Sequence, residues 1–404
     1  MKKIFFLIPV FAALAVYGQG DNTMILGRYD TLYSRVLKEK RRIWVSMPEA
    51  SEDDVFGNQH LPVIYVLDAN LPVASMVRQM EGGGGNVRFP KMIVVGILNT
   101  DRTRDLTPTH SNGAPLQDSM SVRSSGGGGN FTRFIETELI PYIDSAYPTA
   151  PYRMLMGHSF GGLFVLHTLV HKPRLFNAYV AIEPSMWWDQ GRLLREAGEA
   201  LRKDSFDNIS LFLGIAHTQP AGMDTAAARR DSTVATVHLR SILALEDALR
   251  GGNNGLAVGY KYYPDYDHGS SSLPAQYDAL CWSFRFYNLD FPFGTFFQPL
   301  SQDDTVLTAH YRGLSGRMGY TVLPPAGFVS TLAHILADSK QWDRALRLLM
   351  MNRDNHPGSY KVYEELGDIY VKKGDKEQAA AQYRMALRIK DFPGLREKMR
   401  KLGE

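Results

Sequence analysis

Short apolar runs alternate with helix-like segments over residues 25–290, and this alternation constrains the fold more than any other feature of the chain. The predicted strands cover residues 42–47, 61–67, 92–97, 152–156, 178–182 and 209–213. Residues 130–146 carry apolar side chains at helical spacing. Continuous apolar strands that alternate with helices indicate a parallel sheet covered by helices on both faces. The predicted fold class is therefore α/β, with a doubly wound sheet.

The N-terminal residues predict a secretory signal peptide over residues 1–18. Lys2 and Lys3 precede an apolar run at 4–16, which is followed by the small residues Gly18 and Gly20. This order is typical of a cleaved signal, and the apolar run is short for a membrane span. We therefore expect an exported protein, periplasmic or extracellular, that is free of the membrane after cleavage. A short N-terminal membrane anchor is the alternative.

Length and charge limit the number of domains and the class of partner. A chain of 404 residues is long for one compact domain, so two are expected. The formal net charge is +3, and it falls to +1 when residues 1–18 are removed, because they hold two lysines and no acidic residue. A nearly neutral protein gives no indication of binding to nucleic acid.

The C-terminal residues 326–404 carry a 34-residue period that is typical of tetratricopeptide repeats. The second repeat has its small and large apolar positions at Tyr363, Leu366, Gly367, Tyr370, Gly374, Ala379, Tyr383 and Ala386, and the first at Val329, Leu332, Ala333, Leu336, Ala345 and Leu349. These patterns predict a small all-α region with two repeats over 326–393 and a capping helix from 394. Two repeats are few for independent stability, so we expect them to pack on the 25–290 domain. Residues 291–325 are predicted to be a linker.

A Gly-x-Ser-x-Gly motif at 157–161 makes Ser159 a candidate nucleophile. The motif follows the predicted strand 152–156 and precedes a helix-like segment, which is the context that a nucleophile elbow requires in an α/β-hydrolase fold. A serine hydroxyl also needs a base to remove its proton and donors that stabilise the oxyanion. One predicted oxyanion donor is the N–H group of Phe160, the residue after the nucleophile. The other is the N–H group of Ala69, in the loop after the predicted strand 61–67.

The base is predicted to be His268, because this fold places its triad in the chain order serine, acid, histidine. His268 lies in a loop after a strand end at 261–264 and is followed by Gly269. His158, beside the nucleophile, is interpreted as structural or adjacent to the substrate. The predicted acid is Asp224, which comes after the strand 209–213. Glu183 and Asp231 are alternatives, and a dyad without an acid also stays open.

Several motifs of residues 25–290 resemble an esterase family of α/β-hydrolases, which includes esterase D-like, feruloyl and enterobactin-type siderophore esterases. They are Val66-Leu67-Asp68-Ala69-Asn70, Val95-Gly96-Ile97, Asn99-Thr100-Asp101-Arg102, Arg104-Asp105-Leu106-Thr107-Pro108, the elbow at 157–162, Pro184-Ser185-Met186-Trp187-Trp188-Asp189 and Asp267-His268-Gly269. The resemblance implies that Ser159 and His268 carry the chemistry and that Ala69 is an oxyanion donor. It also implies that Arg102 or Arg104 and the pair Trp187 and Trp188 approach the substrate. Read locally, Arg104 and Asp105 are an ion pair, and one tryptophan packs in the core while the other lines the pocket.

Two departures from the family pattern concern the acid. The family often has serine where Glu183 stands, and it often carries its acid directly after the strand that here ends at Ile215. That second place holds Ala216 and His217, which have no carboxylate.

The predicted function is hydrolysis of a carboxylic ester through an acyl-enzyme, on an acylated saccharide, a feruloyl ester or a siderophore ester. An acyltransferase of the same fold is one alternative. A non-catalytic scaffold that binds a peptide or protein partner through the repeats is another. No metal or other cofactor is expected: Cys281 is the only cysteine, and the glycine runs lack the phosphate-binding fingerprint. We expect Cys281 to be buried.

Overall fold

The computed structural model describes residues 26–48, 60–69, 71–82, 89–111, 119–252, 254–289 and 303–403. The predicted signal peptide lies outside these residues. The strands are β1 (Arg28–Ser34), β2 (Glu39–Ser46), β3 (Leu61–Val66), β4 (Ile93–Ile97), β5 (Thr149–His158), β6 (Ala178–Ile182), β7 (Ser210–Ala216) and β8 (Ala257–Tyr263).

The strands form one eight-stranded sheet in the order β1-β2-β4-β3-β5-β6-β7-β8. Strands β3 to β8 run parallel, whereas β1 and β2 pair antiparallel with their neighbours. The strand β1 is not predicted by the sequence pattern. This strand lies at the sheet edge and is largely exposed, so it lacks the apolar run by which the buried strands were found.

Helices cover both faces of the sheet, as the doubly wound prediction requires. Along β3, Ile64 and Val66 join one apolar core, and Val63 and Tyr65 join the other. The helices of this part are α1 (Leu71–Gly82), α2 (Arg102–Leu106), α3 (Ser119–Ser124), α4 (Gly128–Phe134), α5 (Ile140–Ala146), α6 (Phe160–His171), α7 (Trp188–Lys203), α8 (Thr225–Arg230), α9 (Val237–Arg250) and α10 (Ser272–Ser283). The α/β prediction is confirmed.

The predicted amphipathic segment 130–146 is helical throughout. A π-helical turn, Ile135–Leu139, joins α4 to α5. Phe131, Phe134 and Ile143 of this segment are buried against the sheet.

The C-terminal region is entirely helical. Its helices are α11 (Asp303–Met318), α12 (Ala326–Asp338), α13 (Trp342–Asn355), α14 (Tyr360–Lys373), α15 (Lys376–Ile389) and α16 (Pro393–Leu402). The helices α14 and α15 begin 34 residues after α12 and α13, which matches the predicted repeat. A Cβ at Gly367 would lie 2.2 Å from the Tyr383 ring, so only glycine lets α14 and α15 approach this closely.

Part of the predicted linker 291–325 is the helix α11. Its Leu307, Tyr311 and Leu314 are buried in an apolar core that extends from the sheet through α10 into the repeats. The helical region therefore packs on the sheet domain. The expectation that Cys281 is buried is wrong: Cys281 is exposed on α10, whereas its neighbours Ala279 and Leu280 are buried in the core. No helix within the described ranges has the length and apolar character needed to cross a membrane.

Candidate active site

Ser159 lies in a sharp turn between β5 and α6. Its backbone has φ 61° and ψ −118°, a conformation that non-glycine residues rarely adopt and that costs about 1–3 kcal/mol. A Cβ at Gly157 would lie 2.5 Å from the backbone of Gly161, which explains the glycine there. The turn presents the hydroxyl at the carboxyl end of the parallel strands, where sites of open α/β sheets form.

His268 lies in the loop after β8, and its Nε2 is 3.1 Å from the Ser159 Oγ. The His268 side chain is 40% exposed, so the ring borders the open side of the site. The His158 ring is 4.7 Å from the His268 ring, and its Nε2 lies 2.7 Å from the His268 carbonyl oxygen. Burial, ahead of the nearby His268, lowers the pKa of His158, which favours a neutral ring that supports the loop.

The carboxylate in contact with His268 belongs to Glu183, the first residue after β6. Its Oε2 is 3.1 Å from the His268 Nδ1, and the side chain is fully buried. Its Oε1 accepts the Ala216 N–H from the end of β7 at 2.5 Å. Burial raises the pKa of Glu183, but hydrogen bonds from His238, His268 and Ala216 outweigh that effect and lower it to about 2.

The first choice of acid, Asp224, has a different place in the structure. It is the exposed N-cap of α8, where its Oδ1 accepts the Ala227 N–H at 2.6 Å. The other alternative, Asp231, follows α8 and accepts hydrogen bonds from Thr233 and Thr236. The structure therefore places Asp224 as a helix cap and brings Glu183, one of the two alternative acids, into contact with His268.

A second histidine, His238 on α9, also contacts the carboxylate, and it is not among the residues predicted from the sequence. Its Nε2 is 2.9 Å from the Glu183 Oε2, and its Nδ1 accepts the Trp187 indole N–H at 3.0 Å. No local pattern marks His238, because it lies in the first turn of an amphipathic helix, 55 residues after Glu183.

The two predicted oxyanion donors lie on adjacent segments. Ala69 ends a short 3-10 helix, Leu67–Ala69, directly after β3, and Phe160 begins α6. The Asp68 Oδ2 is 3.5 Å from where a Cβ on Gly161 would stand, so this loop packs against the elbow. Arg102 holds the loop there with hydrogen bonds of 2.7 and 3.0 Å to the Asp68 carboxylate.

The four residues suggested for substrate contact separate into two groups. Arg102 lies 5.5 Å from the centre of the Phe160 ring and close to the site, and Trp187 is half-buried beside His238. Arg104 instead binds Glu39 and Asp105. Trp188 is buried, and its indole donates to the Thr109 carbonyl. The local interpretations of Arg104 and Trp188 therefore fit the geometry better.

A cavity of about 550 Å³ lies between α7 and α9, next to this cluster. The apolar part of its wall consists of Trp187, Leu194, Val237 and Ala244. The indole of Trp187 also donates a hydrogen bond to His238. Arg229, Arg240 and Asp247 also line the cavity, so its wall is partly charged.

Across the described residues, one group of side chains has the donor types and spacing for a metal ion. It consists of Glu183, His238 and His268, whose ligand atoms lie within 4.8 Å of one another. The hydrogen bonds already give each of these atoms a partner, with both imidazoles directed at one carboxylate. The arrangement is therefore explained without a metal.

Comparison with known proteins gives the class to which this site belongs. Residues 34–230 match the family model described as "Putative esterase", and residues 330–400 match a tetratricopeptide repeat-like domain. An IroE-like serine hydrolase from Shewanella oneidensis is 30% identical, with a TM-score of 0.67 over 81% of this chain and 99% of that one. The chain belongs to the esterase family and is a carboxylic ester hydrolase.

Several curated relatives carry names of siderophore esterases. The siderophore enterobactin esterase of Emericella nidulans is 28% identical over 56% of this chain and 82% of its own length. The ferri-bacillibactin esterase of Bacillus subtilis is 34% identical, and there the match spans 38% of this chain and 58% of the relative. An uncharacterised protein from Capnocytophaga ochracea, 21% identical with a TM-score of 0.59, shares the fold over 93% of the chain and 99% of its own.

Proposed function

We propose that the protein is a serine esterase with Ser159, His268 and Glu183 as its triad. The observation that carries this proposal is the continuous hydrogen-bonded chain from the Ser159 Oγ through both ring nitrogens of His268 to the buried Glu183 carboxylate. Such a chain activates a hydroxyl, because the ring takes its proton while the carboxylate stabilises the resulting imidazolium.

The reaction follows from this order of groups. The Ser159 Oγ bonds to the ester carbonyl carbon while its proton passes to the His268 Nε2. The N–H groups of Phe160 and Ala69 stabilise the oxyanion. His268 then gives the proton to the leaving alcohol oxygen, and the carbon–oxygen bond of the ester breaks. Water attacks the acyl-enzyme, His268 takes its proton and returns it to Ser159, and the carboxylic acid is released.

The two departures from the family pattern are explained together by this assignment. Glu183 stands where serine is frequent, and Ala216 stands where the acid is frequent. Glu183 is the first residue after β6 and Ala216 is the last residue of β7, and these two strands are adjacent in the sheet. The Ala216 N–H donates to Glu183, so the strand end that lacks a carboxylate still helps to hold the one on its neighbour.

We propose a siderophore-type ester as the substrate class, because the curated relatives named above act on such esters. The test is a panel of a tricatecholate trilactone, a feruloyl ester and an acetylated xylan fragment, assayed with the wild type and Ser159→Ala. We expect the trilactone to be cleaved best and Ser159→Ala to lose about 10⁵-fold or more in kcat. Full activity of Ser159→Ala would refute the mechanism, and preference for another ester would refute only the substrate class.

Two further expectations remain proposals. We propose that residues 25–290 and 326–404 are two domains that pack on each other, and that the helix α11 belongs to the helical one. We also propose that residues 1–18 direct export to the periplasm or the medium; fractionation of cells that express the full chain, with and without residues 1–18, tests this.

A further inference from the structure

The Glu183 carboxylate serves two imidazoles at once. His268 and His238 both approach Oε2, at 3.1 and 2.9 Å, while Oε1 accepts the Ala216 N–H. The triad that we propose uses only one of these imidazoles. The role of His238 is therefore open.

The tautomer of His238 follows from its other partner. An indole N–H can only donate, so the Trp187 contact requires an unprotonated Nδ1 on His238. The proton of the neutral ring must then be on Nε2, where it is donated to Glu183. Trp187 follows Glu183 by four residues, and the three side chains thus tie the segment after β6 to α9.

We propose that His238 is a positioning residue for this reaction: it is a second donor to Glu183, and Trp187 fixes it in the one neutral tautomer that can donate. This inference rests on the proposed function. A carboxylate that accepts several hydrogen bonds is a weaker proton acceptor. His238 thus keeps Glu183 ionised and limits how strongly Glu183 stabilises the protonated form of His268.

Other charged and titratable groups also face this cluster. His158 lies beside the His268 ring, and Asp267 precedes His268 with its carboxylate bound to Ser270. Arg102 lies on the far side, where it donates weakly to the His158 carbonyl. Among the described residues, the titratable side chains that hydrogen-bond to Glu183 are His238 and His268.

The test is the pH dependence of kcat and KM for the wild type, His238→Leu, His238→Gln and Trp187→Phe, all as full chains. In His238→Leu, Glu183 holds the protonated His268 more strongly. We expect the acid-side midpoint of kcat to rise by about half a pH unit to one unit. We also expect kcat at the plateau to fall about tenfold, because Glu183 loses one of the donors that fix the position of its carboxylate. The change should fall on kcat more than on KM. His60→Leu, an exposed histidine remote from Glu183, is the matched control and should keep the wild-type profile.

His238→Gln carries an amide N–H that can replace the Nε2 donor, so it should return the midpoint towards the wild-type value. Trp187→Phe keeps His238 but frees its Nδ1, and we expect a smaller shift in the same direction; it gives a readout even where His238→Leu does not fold. A folded His238→Leu with the wild-type midpoint, or an unshifted Trp187→Phe when His238→Leu does not fold, would overturn the inference. Activity in Ser159→Ala would instead refute the proposed function, so the two failures are distinguishable.

Discussion

The ends of β6 and β7 are neighbours in the sheet, yet they contribute differently to the site. The end of β6 supplies a buried carboxylate, Glu183, whose backbone has φ 48°. The end of β7 supplies a backbone N–H from Ala216, and the first acid beyond it, Asp224, is an exposed helix cap. The difference shows that chain order after a strand does not decide which carboxylate contacts the histidine: the buried Glu183 reaches His268, whereas the exposed Asp224 binds its own helix.

The largest predicted effect separates the two acids. Glu183→Gln should lower kcat on p-nitrophenyl acetate by about 10⁴-fold, because the histidine loses the carboxylate that fixes its tautomer and stabilises its charge. Asp224→Asn is the matched control, since asparagine also caps helices, and its kcat should stay near that of the wild type. A large loss of kcat in Asp224→Asn, with little change in Glu183→Gln, would instead identify Asp224 as the acid.

The second prediction concerns acid unfolding. The folded pKa of Glu183, about 2, lies below the ordinary value of 4.5, so its ionised form stabilises the fold. That contribution, about 3 kcal/mol, is fully present above pH 4.5 and is lost as the pH falls towards 2. Urea unfolding between pH 5 and pH 3 should therefore show a steeper loss of stability for the wild type than for Glu183→Gln. Equal slopes would contradict the buried, hydrogen-bonded carboxylate at the end of β6.

The smallest effect is expected on the β7 side. Asp224→Ala removes the N-cap of α8 and should lower the free energy of unfolding by about 1 kcal/mol. Its kcat should not change, because the carboxylate is bound to the Ala227 N–H and is not part of the triad that we propose. Thermal unfolding and the same esterase assay measure both quantities. A large loss of kcat with a normal melting temperature would give Asp224 a catalytic role.

Local sequence patterns predicted most of the fold. In the site they singled out Ser159 and His268, but they did not show that Glu183 contacts His268 or that His238 lies there. Buried strands are continuous apolar runs, and the elbow needs its glycines next to Ser159, so both are visible over a few residues. The repeats were visible because their period recurs in the sequence. The helix α11 was not predicted, because its residues lie within a segment, 291–325, that resembles a linker.

The acid and the second histidine depend on contacts between distant segments. Glu183 and Asp224 each follow a predicted strand, and only the packing shows that Glu183 points at His268 while Asp224 turns back to cap its own helix. His238 reaches the cluster because α9 packs beside α7, and no sequence spacing encodes that approach.

The most direct test of the account is the rate at which a fluorophosphonate probe labels Ser159, because it needs no knowledge of the substrate. Mass spectrometry should locate the label on Ser159 in the wild type. Asp224→Asn should be labelled at the wild-type rate and Glu183→Gln orders of magnitude more slowly. Labelling of Glu183→Gln at the wild-type rate, or of a residue other than Ser159, would contradict the central claim that the carboxylate after β6 completes the triad.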